Sequence, residues 1–196
     1  MKNLKATLLI GAAVSLAALG VVVGAQAKSA PAERPTVTVN AVWDYHPATL
    51  AAARAKAEQV VQVTVVSVAA GPDIVTPAKG EPDGVDRIPT QRVTVSVLRA
   101  FKGSAKVGDQ LTVFQTGGVV STAVPGDTHP RMVVDGDPFY AAGEQHLLLL
   151  VPGPQGTLRI ISPEGRYRID AAGKLSSAVS GPVVAEATAK GLAAFG

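Results

Sequence analysis

The residues best suited to chemistry lie between positions 127 and 146, where acidic side chains and histidines are close together in the sequence. They are Asp127, His129, Asp135, Asp137, Glu144 and His146. Carboxylate oxygens are the usual ligands of calcium, and histidine nitrogens are common ligands of zinc. However, the run Asp135-Gly-Asp137-Pro lacks the later ligands of a calcium loop, and the three histidines show no H-E-x-x-H spacing. We therefore predict no metal site and no cofactor.

The serines stand in no sequence context that activates a hydroxyl group. None lies in a G-x-S-x-G or S-x-x-K motif, the arrangements in which hydrolases commonly expose and activate a nucleophile. Gly117-Gly118 belongs to no phosphate-binding motif of the G-x-G-x-x-G or G-K-[ST] type. The chain also has no cysteine, which excludes a thiol nucleophile and a disulfide framework. We assign no catalytic residue and favour a binding protein over an enzyme.

Two further groups of residues could bind a ligand. Five arginines lie on the strands predicted below: Arg92, Arg99, Arg159, Arg166 and Arg168. On a shared face they would form a basic surface for an anion, but charged side chains also keep an outer strand face wet, and we favour the second interpretation. Trp43, Tyr45 and His46 could form a binding patch or cover an open barrel end, although core packing is the more common use of such residues.

The first 27 residues have the three parts of a secretory signal peptide. Lys2 and Lys5 precede the uncharged apolar run of residues 6–27, which ends in the small-x-small sequence Ala25-Gln26-Ala27. This pattern predicts cleavage after Ala27 and export, so the protein would be secreted or extracytoplasmic in the cell envelope. The alternative is an uncleaved N-terminal membrane anchor, because about 20 apolar residues can span a bilayer.

Composition indicates one compact domain and argues against a nucleic-acid partner. The chain has 196 residues, of which 47% are hydrophobic and 17% charged, which fits one domain and does not fit a disordered chain. The two lysines of the leader account for most of the excess of 18 basic over 15 acidic residues. No basic stripe remains, and only 4% of residues are aromatic, so few side chains could stack on bases. The predicted partner is an envelope protein or an extracellular ligand.

Hydrophobic periodicity predicts a mainly β domain over residues 41–180. The predicted strands are 59–68, 91–100, 110–115, 146–151, 158–162 and 166–170. Val93, Val95 and Val97 alternate with polar residues, as in a half-buried strand, whereas the continuous run at 146–151 is typical of a strand buried on both faces. Short Pro- and Gly-rich turns favour antiparallel neighbours.

Residues outside the strands have their own signals. An Ala-rich segment over 47–59 predicts one short helix before the first core strand, and residues 28–40 predict a linker or short strand. The tail, 181–196, has an amphipathic pattern that predicts a C-terminal helix. Two connections are long, 69–90 and 116–145, and the second includes Val119-Val120 and Met132-Val133-Val134 as candidates for short strands.

The order of these motifs resembles a known family. A helix leads into QVVQVTVVSV; a strand ending in LRAFKG, a G-D-x-L-x-V strand and the run GDPFYAAGEQHLLLLVP then follow. Over about residues 47–170 this is similar to secreted bacterial β-barrel proteins of unknown function, which in turn resemble the netrin-like, OB-type barrel of tissue inhibitors of metalloproteinases. The resemblance implies a small antiparallel OB/netrin-like barrel. Those inhibitors chelate zinc through an N-terminal cysteine that this chain lacks, so the resemblance implies a fold and no activity.

We therefore expect an exported, non-catalytic binding or interaction module of the cell envelope or extracellular space. Its contact surface would be the two long loops, because loops on a rigid scaffold commonly carry function. One alternative is an extracytoplasmic hydrolase with its site between loop 116–145 and the barrel. A second alternative is a structural component of the envelope.

Overall fold

The computed structural model describes residues 34–78, 84–120 and 130–196. The predicted signal peptide, residues 1–27, lies outside the described residues, as do the first residues of the predicted linker. Residues 79–83 and 121–129 of the two long loops also lie outside them. Among the described residues, no helix has the length and apolar character needed to cross a membrane.

The described chain is mainly β, with two α-helices. The strands are β1 (Thr36–Val39), β2 (Gln59–Ala70), β3 (Ile74–Pro77), β4 (Val85–Ile88), β5 (Thr90–Lys102), β6 (Gln110–Gly118), β7 (Arg131–Val134), β8 (Gln145–Pro152), β9 (Leu158–Ile160), β10 (Arg166–Ile169) and β11 (Leu175–Ser176). The helices are α1 (Leu50–Lys56) and α2 (Pro182–Lys190). The predicted short helix before the first core strand and the predicted C-terminal helix are both present.

Five strands close into a barrel in the order β2, β5, β6, β9, β8 and back to β2. Four of the contacts are antiparallel, but β9 lies parallel to β6, with Val113 opposite Leu158. Outside the ring, β1 is also parallel to β7. The prediction of an antiparallel barrel was therefore wrong in part, because the sheet is mixed. Turn residues indicate only hairpins between successive strands, whereas the contact between β6 and β9, which closes the barrel, joins strands distant in sequence.

Irregular pairing bends β2 around the barrel. Its register against β5 shifts at three points, Val60/Val61, Gln62/Val63 and Val65/Ser67. An extra residue in one strand of an antiparallel pair bends that strand and increases its twist. The last shift leaves Val66 unpaired and 47% exposed, although its neighbour Val65 is buried. The apolar run of β2 is therefore covered on both faces only in its first half.

Strand β8 separates two apolar cores, which confirms the prediction that it is buried on both faces. Leu148 and Leu150 face the barrel core, with the valines of β2 and β5. Leu147, Leu149 and Val151 face an outer core, where they pack with residues of α1, α2 and β10. Because side chains alternate along a strand, one continuous apolar run supplies both cores.

The sequence Phe101-Lys102-Gly103 at the end of β5 holds helix α1 in place. Thr49 caps the start of this helix by accepting a hydrogen bond from the Ala52 N–H at 3.1 Å. At the other end, the Lys102 ammonium donates to the carbonyls of Arg54, Ala55 and Ala57 at 2.8, 3.0 and 2.5 Å. These are helix carbonyls that the helix itself leaves without partners. Phe101 packs on the outer core, so the motif has a structural explanation.

The long connections contain short elements of their own. Connection 69–90 holds the β3–β4 hairpin, which the sequence did not predict. Connection 116–145 holds β7, which confirms the candidate strand at Met132-Val133-Val134. The other candidate, Val119-Val120, follows the end of β6 and forms no strand. Helix α2 places Val183, Val184 and Ala187 in the outer core.

Candidate functional site: a polar end of the barrel

One end of the barrel interior is built from polar side chains instead of aliphatic ones. We call this group the polar end: Gln115, Asp137, Tyr140, His146 and Arg166, all of them buried. Strand alternation explains the positions on β6 and β8. Gln115 lies two residues beyond Val113, and His146 lies two residues before Leu148, so both share the face that lines the barrel core.

A buried ion pair crosses the polar end. The Arg166 guanidinium donates to Asp137 Oδ1 at 2.8 Å and also to the carbonyl of Pro138. The same guanidinium lies 3.4 Å from the centre of the Tyr140 ring, a distance typical of a cation–π contact. The Gln115 amide donates to the carbonyls of Asp137 and Pro138 at 3.2 and 2.9 Å. Residues 137–140 are thereby held across the end of the barrel.

Burial and charge compete at Asp137. Burial raises the pKa of this carboxyl, while the Arg166 charge and the hydrogen bonds from Arg166 and Gln115 act to lower it. Burial also raises the pKa of the Tyr140 phenol, so this side chain stays a neutral hydroxyl. The burial of Asp137 and that of Arg166 each require the other residue, because a buried charge without a partner lowers the stability of the folded protein.

A second, more exposed network begins at Glu144, in the turn that precedes β8. Its Oε2 accepts from the Ala141 N–H at 3.0 Å and lies 3.2 Å from His146 Nε2, while its Oε1 lies 3.3 Å from an Arg168 nitrogen. Partial burial acts to raise the pKa of Glu144, but the contacts with Ala141, His146 and Arg168 outweigh it and lower the pKa. The carboxylate is therefore ionised at neutral pH.

His146 is neutral at pH 7. Burial, followed by the charge of Arg166, lowers the pKa of His146 to about 4, against the opposing effect of Glu144. The carboxylate of Glu144 accepts hydrogen bonds only, so the Nε2 atom of the neutral imidazole carries the proton. His146 Nδ1 then carries no proton and can only accept a hydrogen bond, and His146 is only 2% exposed.

Three polar atoms of the polar end have no hydrogen-bond partner among the described residues. They are Gln115 Oε1, Tyr140 Oη and His146 Nδ1. Other such atoms belong to Gln91, Ser162, Glu164 and Tyr167. Buried polar groups without a partner are rare in folded proteins, and each needs an explanation, of which a missing ligand is one.

A pocket of about 340 Å³ opens beside the polar end. We call it the polar pocket. Its walls come from the loop after β7, from β8, from β10 and from the segment at β11: Gly136, Pro138, Phe139, Glu144, His146, Arg166, Arg168, Ser176, Ser177 and Ala178. His146, Arg168 and Ser176 are direct cross-strand neighbours on β8, β10 and β11, so the strand register brings them to one row.

The register does not provide a serine–histidine pair. Ser176 is two strands away from His146, about 9–10 Å at the usual spacing of neighbouring strands, with Arg168 between them. A nucleophile and its base need to be within hydrogen-bond reach. The arrangement can instead bind: it presents one carboxylate, one exposed guanidinium and two hydroxyls to the same small space.

The structure separates the acidic residues and histidines that are close in sequence. Asp127 and His129 lie outside the described residues, and Asp135 is exposed on the turn after β7. Asp137 is paired with Arg166, and among the described members of this group only Glu144 and His146 are in contact with each other. Among the described residues, no group of three or more His, Cys, Asp or Glu side chains could hold a metal ion.

The five arginines do not form one basic surface. Arg92 donates to Gln155 at 2.8 Å, Arg99 stacks on Phe101, and Arg159 lies 3.9 Å from Asp44. Only Arg166 and Arg168 share a site. Of the aromatic segment before α1, Trp43 packs on the barrel core and Tyr45 on the outer core, while His46 is exposed, 3.5 Å from Glu164.

Sequence reasoning missed Gln115, Tyr140 and Ser176. Gln115 left a signal, because it continues the inward series of Leu111 and Val113 by two residues.

Comparison with models of known protein families finds no match for this chain, and no curated protein sequence matches it either.

Proposed function

We propose that the protein is an exported β-barrel that works as a non-catalytic binding module, with a small polar ligand in the polar pocket. The observation that carries the proposal is that His146 lines this pocket and keeps a buried nitrogen, Nδ1, without a partner among the described residues, beside the carboxylate of Glu144 and the exposed guanidinium of Arg168. Ligand sites are typically preformed pockets with a few convergent polar groups, and about 340 Å³ is enough for a small molecule. The other residues with such atoms do not line this pocket: Gln91, Gln115, Tyr140, Ser162, Glu164 and Tyr167.

The charges of the pocket favour a ligand with a carboxylate and a hydrogen-bond donor. Arg168 has a 65% exposed side chain, and its ion-pair partner among the described residues is Glu144, so its remaining N–H groups can donate to a ligand carboxylate. Glu144 lines the same pocket and can accept from an ammonium or hydroxyl group. A ligand with only one of these two groups would contact either Arg168 or Glu144 but not both. Amino acids and hydroxy acids meet both requirements.

The fold supports the finer part of the proposal, an OB-type barrel. In chain order the five barrel strands are β2, β5, β6, β8 and β9, and the first pairs with both the second and the fourth. The third and fifth strands close the ring side by side. A five-stranded barrel that does not follow simple sequence order is typical of OB folds, which bind ligands through strands and loops. The netrin-like relationship stays a proposal on the motifs given above.

Export is proposed from the sequence of residues 1–27. A basic start, an apolar run and Ala25-Gln26-Ala27 are the features that the secretory machinery uses. N-terminal sequencing of the protein recovered from cell-envelope and medium fractions should find Lys28 as the first residue. Recovery of the chain from the cytosol with Met1 in place would contradict export.

The ligand proposal is tested by NMR titration of the protein with the twenty amino acids and with glycolate and lactate. At least one probe should shift the backbone amides of Glu144, Arg168 and Ser176 in a saturable way. Acetate and methylamine, which carry one group each, should need at least tenfold higher concentrations, because each can contact only one of Arg168 and Glu144.

Two arginine variants provide the control. Arg168→Gln should weaken binding at least tenfold, since a charge-assisted hydrogen bond is lost. Arg159→Gln, a change on β9 away from the pocket, should bind as the unchanged protein does. If no probe saturates, the ligand proposal is wrong; if the chain also recovers no envelope partner, a structural role in the envelope becomes the better account.

A hydrolase is the second candidate, favoured by the contact between Glu144 and His146. A carboxylate that fixes the tautomer of a neutral imidazole is the arrangement of a general base; here it would activate water, because Ser176 lies two strands away from His146. Hydrolysis of a panel of p-nitrophenyl esters and phosphates should then depend on His146. Equal rates in the unchanged protein and in His146→Gln would eliminate this candidate.

A further inference from the structure

A second pocket, of about 530 Å³, lies beside Tyr140 and is separate from the polar pocket. We call it the arginine pocket. It is lined by residues around β1, the end of β2, the start of β5 and the start of β7: Arg34, Thr36, Val68, Ala69, Ala70, Thr90, Gln91, Val119, Arg131 and Tyr140. Phe139 and Tyr140 are adjacent in sequence, and they contribute to the polar pocket and the arginine pocket respectively.

The two pockets differ in charge. In the polar pocket, each guanidinium faces a carboxylate of the protein. The described residues that line the arginine pocket include the Arg131 guanidinium and no carboxylate. A cleft lined by charges of one sign concentrates ligands of the opposite sign. This pocket therefore favours an anion.

Arg131 is held in place by an aromatic ring. Its guanidinium lies 3.7 Å from the centre of the Phe139 ring, so the stacking leaves the edge of the planar group, where its N–H donors lie, free for hydrogen bonds. A guanidinium that is already oriented loses less side-chain entropy when it binds a carboxylate. The stacking thus prepares Arg131 for a planar anion.

A second, independent observation also indicates a ligand here. Gln91 and Tyr140 line the pocket, are 9% and 5% exposed, and each keeps a buried polar atom without a partner. The tyrosine hydroxyl can donate a hydrogen bond, and the glutamine amide can present either its oxygen or its NH₂ group by rotation.

Part of the remaining wall is apolar, beside Thr36 and Thr90. Val68, Ala69, Ala70 and Val119 supply hydrocarbon surface to the same pocket. An inorganic anion would leave this surface unused, whereas a hydrocarbon chain would be removed from water against it. The geometry points to a ligand with two parts, one anionic and one apolar.

We propose that the arginine pocket binds a monoanionic carboxylate with a short hydrocarbon tail. Arg131 takes the carboxylate, and the tail lies along the end of β2. The proposal concerns a different pocket from that of the proposed function, and neither depends on the other.

Isothermal titration with butyrate and hexanoate tests the proposal on the whole protein. Both should bind saturably, and hexanoate should bind about tenfold tighter than butyrate, because two further methylene groups are buried. Inorganic phosphate, which lacks the tail, and butylammonium, which carries the opposite charge, should both bind at least tenfold more weakly than butyrate. Equal binding of either one would overturn the proposal.

Variants assign the site. Arg131→Gln should weaken butyrate binding at least tenfold. Arg131→Lys keeps the charge but loses the planar fork, so its affinity for butyrate should lie between those of the unchanged protein and Arg131→Gln. Arg92→Gln, on the exposed face of β5, is the matched control and should leave binding unchanged. If Arg131→Gln and Arg131→Lys both bind butyrate as the unchanged protein does, the proposal is wrong.

Arg168→Gln distinguishes the two pockets. This variant should bind butyrate normally and lose only the ligand of the polar pocket. If it loses butyrate while Arg131→Gln keeps it, the anion occupies the polar pocket, which overturns the inference and leaves the proposed function intact.

Discussion

The middle and the polar end of the same barrel are filled in different ways. The middle contains the valines of β2 and β5 with Leu148 and Leu150, side chains that need only removal from water. The polar end contains Gln115, Asp137, Tyr140, His146 and Arg166, which need hydrogen-bond partners as well. The middle carries no unpartnered polar side-chain atom, whereas three side chains of the end do. The difference shows that the middle is held by burial alone, whereas the polar end depends on hydrogen bonds and on one ion pair.

The largest expected effect comes from breaking the buried ion pair. Arg166→Met leaves the carboxyl group of Asp137 buried without its partner, which should lower the free energy of unfolding by about 3–5 kcal/mol. Urea denaturation measures the loss. The double variant Asp137→Asn with Arg166→Met removes both charges and should recover most of it.

Leu148→Ala, in the middle of the barrel, is the matched comparison. It should cost about 2–5 kcal/mol through the cavity that it creates, and Asp137→Asn should not recover any of that loss. If the double variant at the polar end is as unstable as Arg166→Met alone, then charge compensation is not what holds this end together.

The next effect is a pH dependence specific to the polar end. An unfolded histidine has a pKa of about 6.5, whereas burial lowers the pKa of His146 to about 4. Between these values the unfolded chain binds a proton that the folded chain does not. Stability is therefore fully present above pH 6.5 and falls as the pH drops toward 4, by about 3 kcal/mol from this group.

His146→Gln removes this contribution and keeps a donor for Glu144. The difference in unfolding free energy between the unchanged protein and the variant should therefore shrink from pH 7.5 to pH 4, in urea denaturation at each pH. A constant difference over this range would show that His146 titrates alike in the folded and unfolded chains.

The sequence predicts the middle of the barrel better than its end. Alternating valines at 93, 95 and 97 and the apolar run of β8 report burial directly, because period and hydrophobicity are local properties. Arg166 and Arg168 alternate along β10 with Tyr167 and Ile169, which are buried in the outer core. From the sequence, this alternation suggests that the two arginines face solvent. That second face is covered by residues 137–140, and the covering segment is about 30 residues away in sequence.

The same limit applies to strand pairing and to the loops. The contact between β6 and β9 closes the barrel in parallel, and no turn residue could indicate it. The β3–β4 hairpin is short and exposed, so its hydrophobic pattern is too weak to stand out within connection 69–90. The F-K-G and G-E sequences carried the family resemblance, and the structure assigns them local tasks at α1 and at the turn before β8.

The hydroxyl of Tyr140 offers the most direct test of the claim that the polar end is incomplete in the free protein. Tyr140→Phe removes only this oxygen and keeps the ring that packs against Arg166 and His146. Because the hydroxyl has no hydrogen-bond partner in the part of the chain that the structure describes, the free energy of unfolding without ligand should stay the same or rise by up to about 1 kcal/mol. A loss of about 1 kcal/mol or more would mean that the hydroxyl already makes a stabilising hydrogen bond, and the polar end would then be a structural plug.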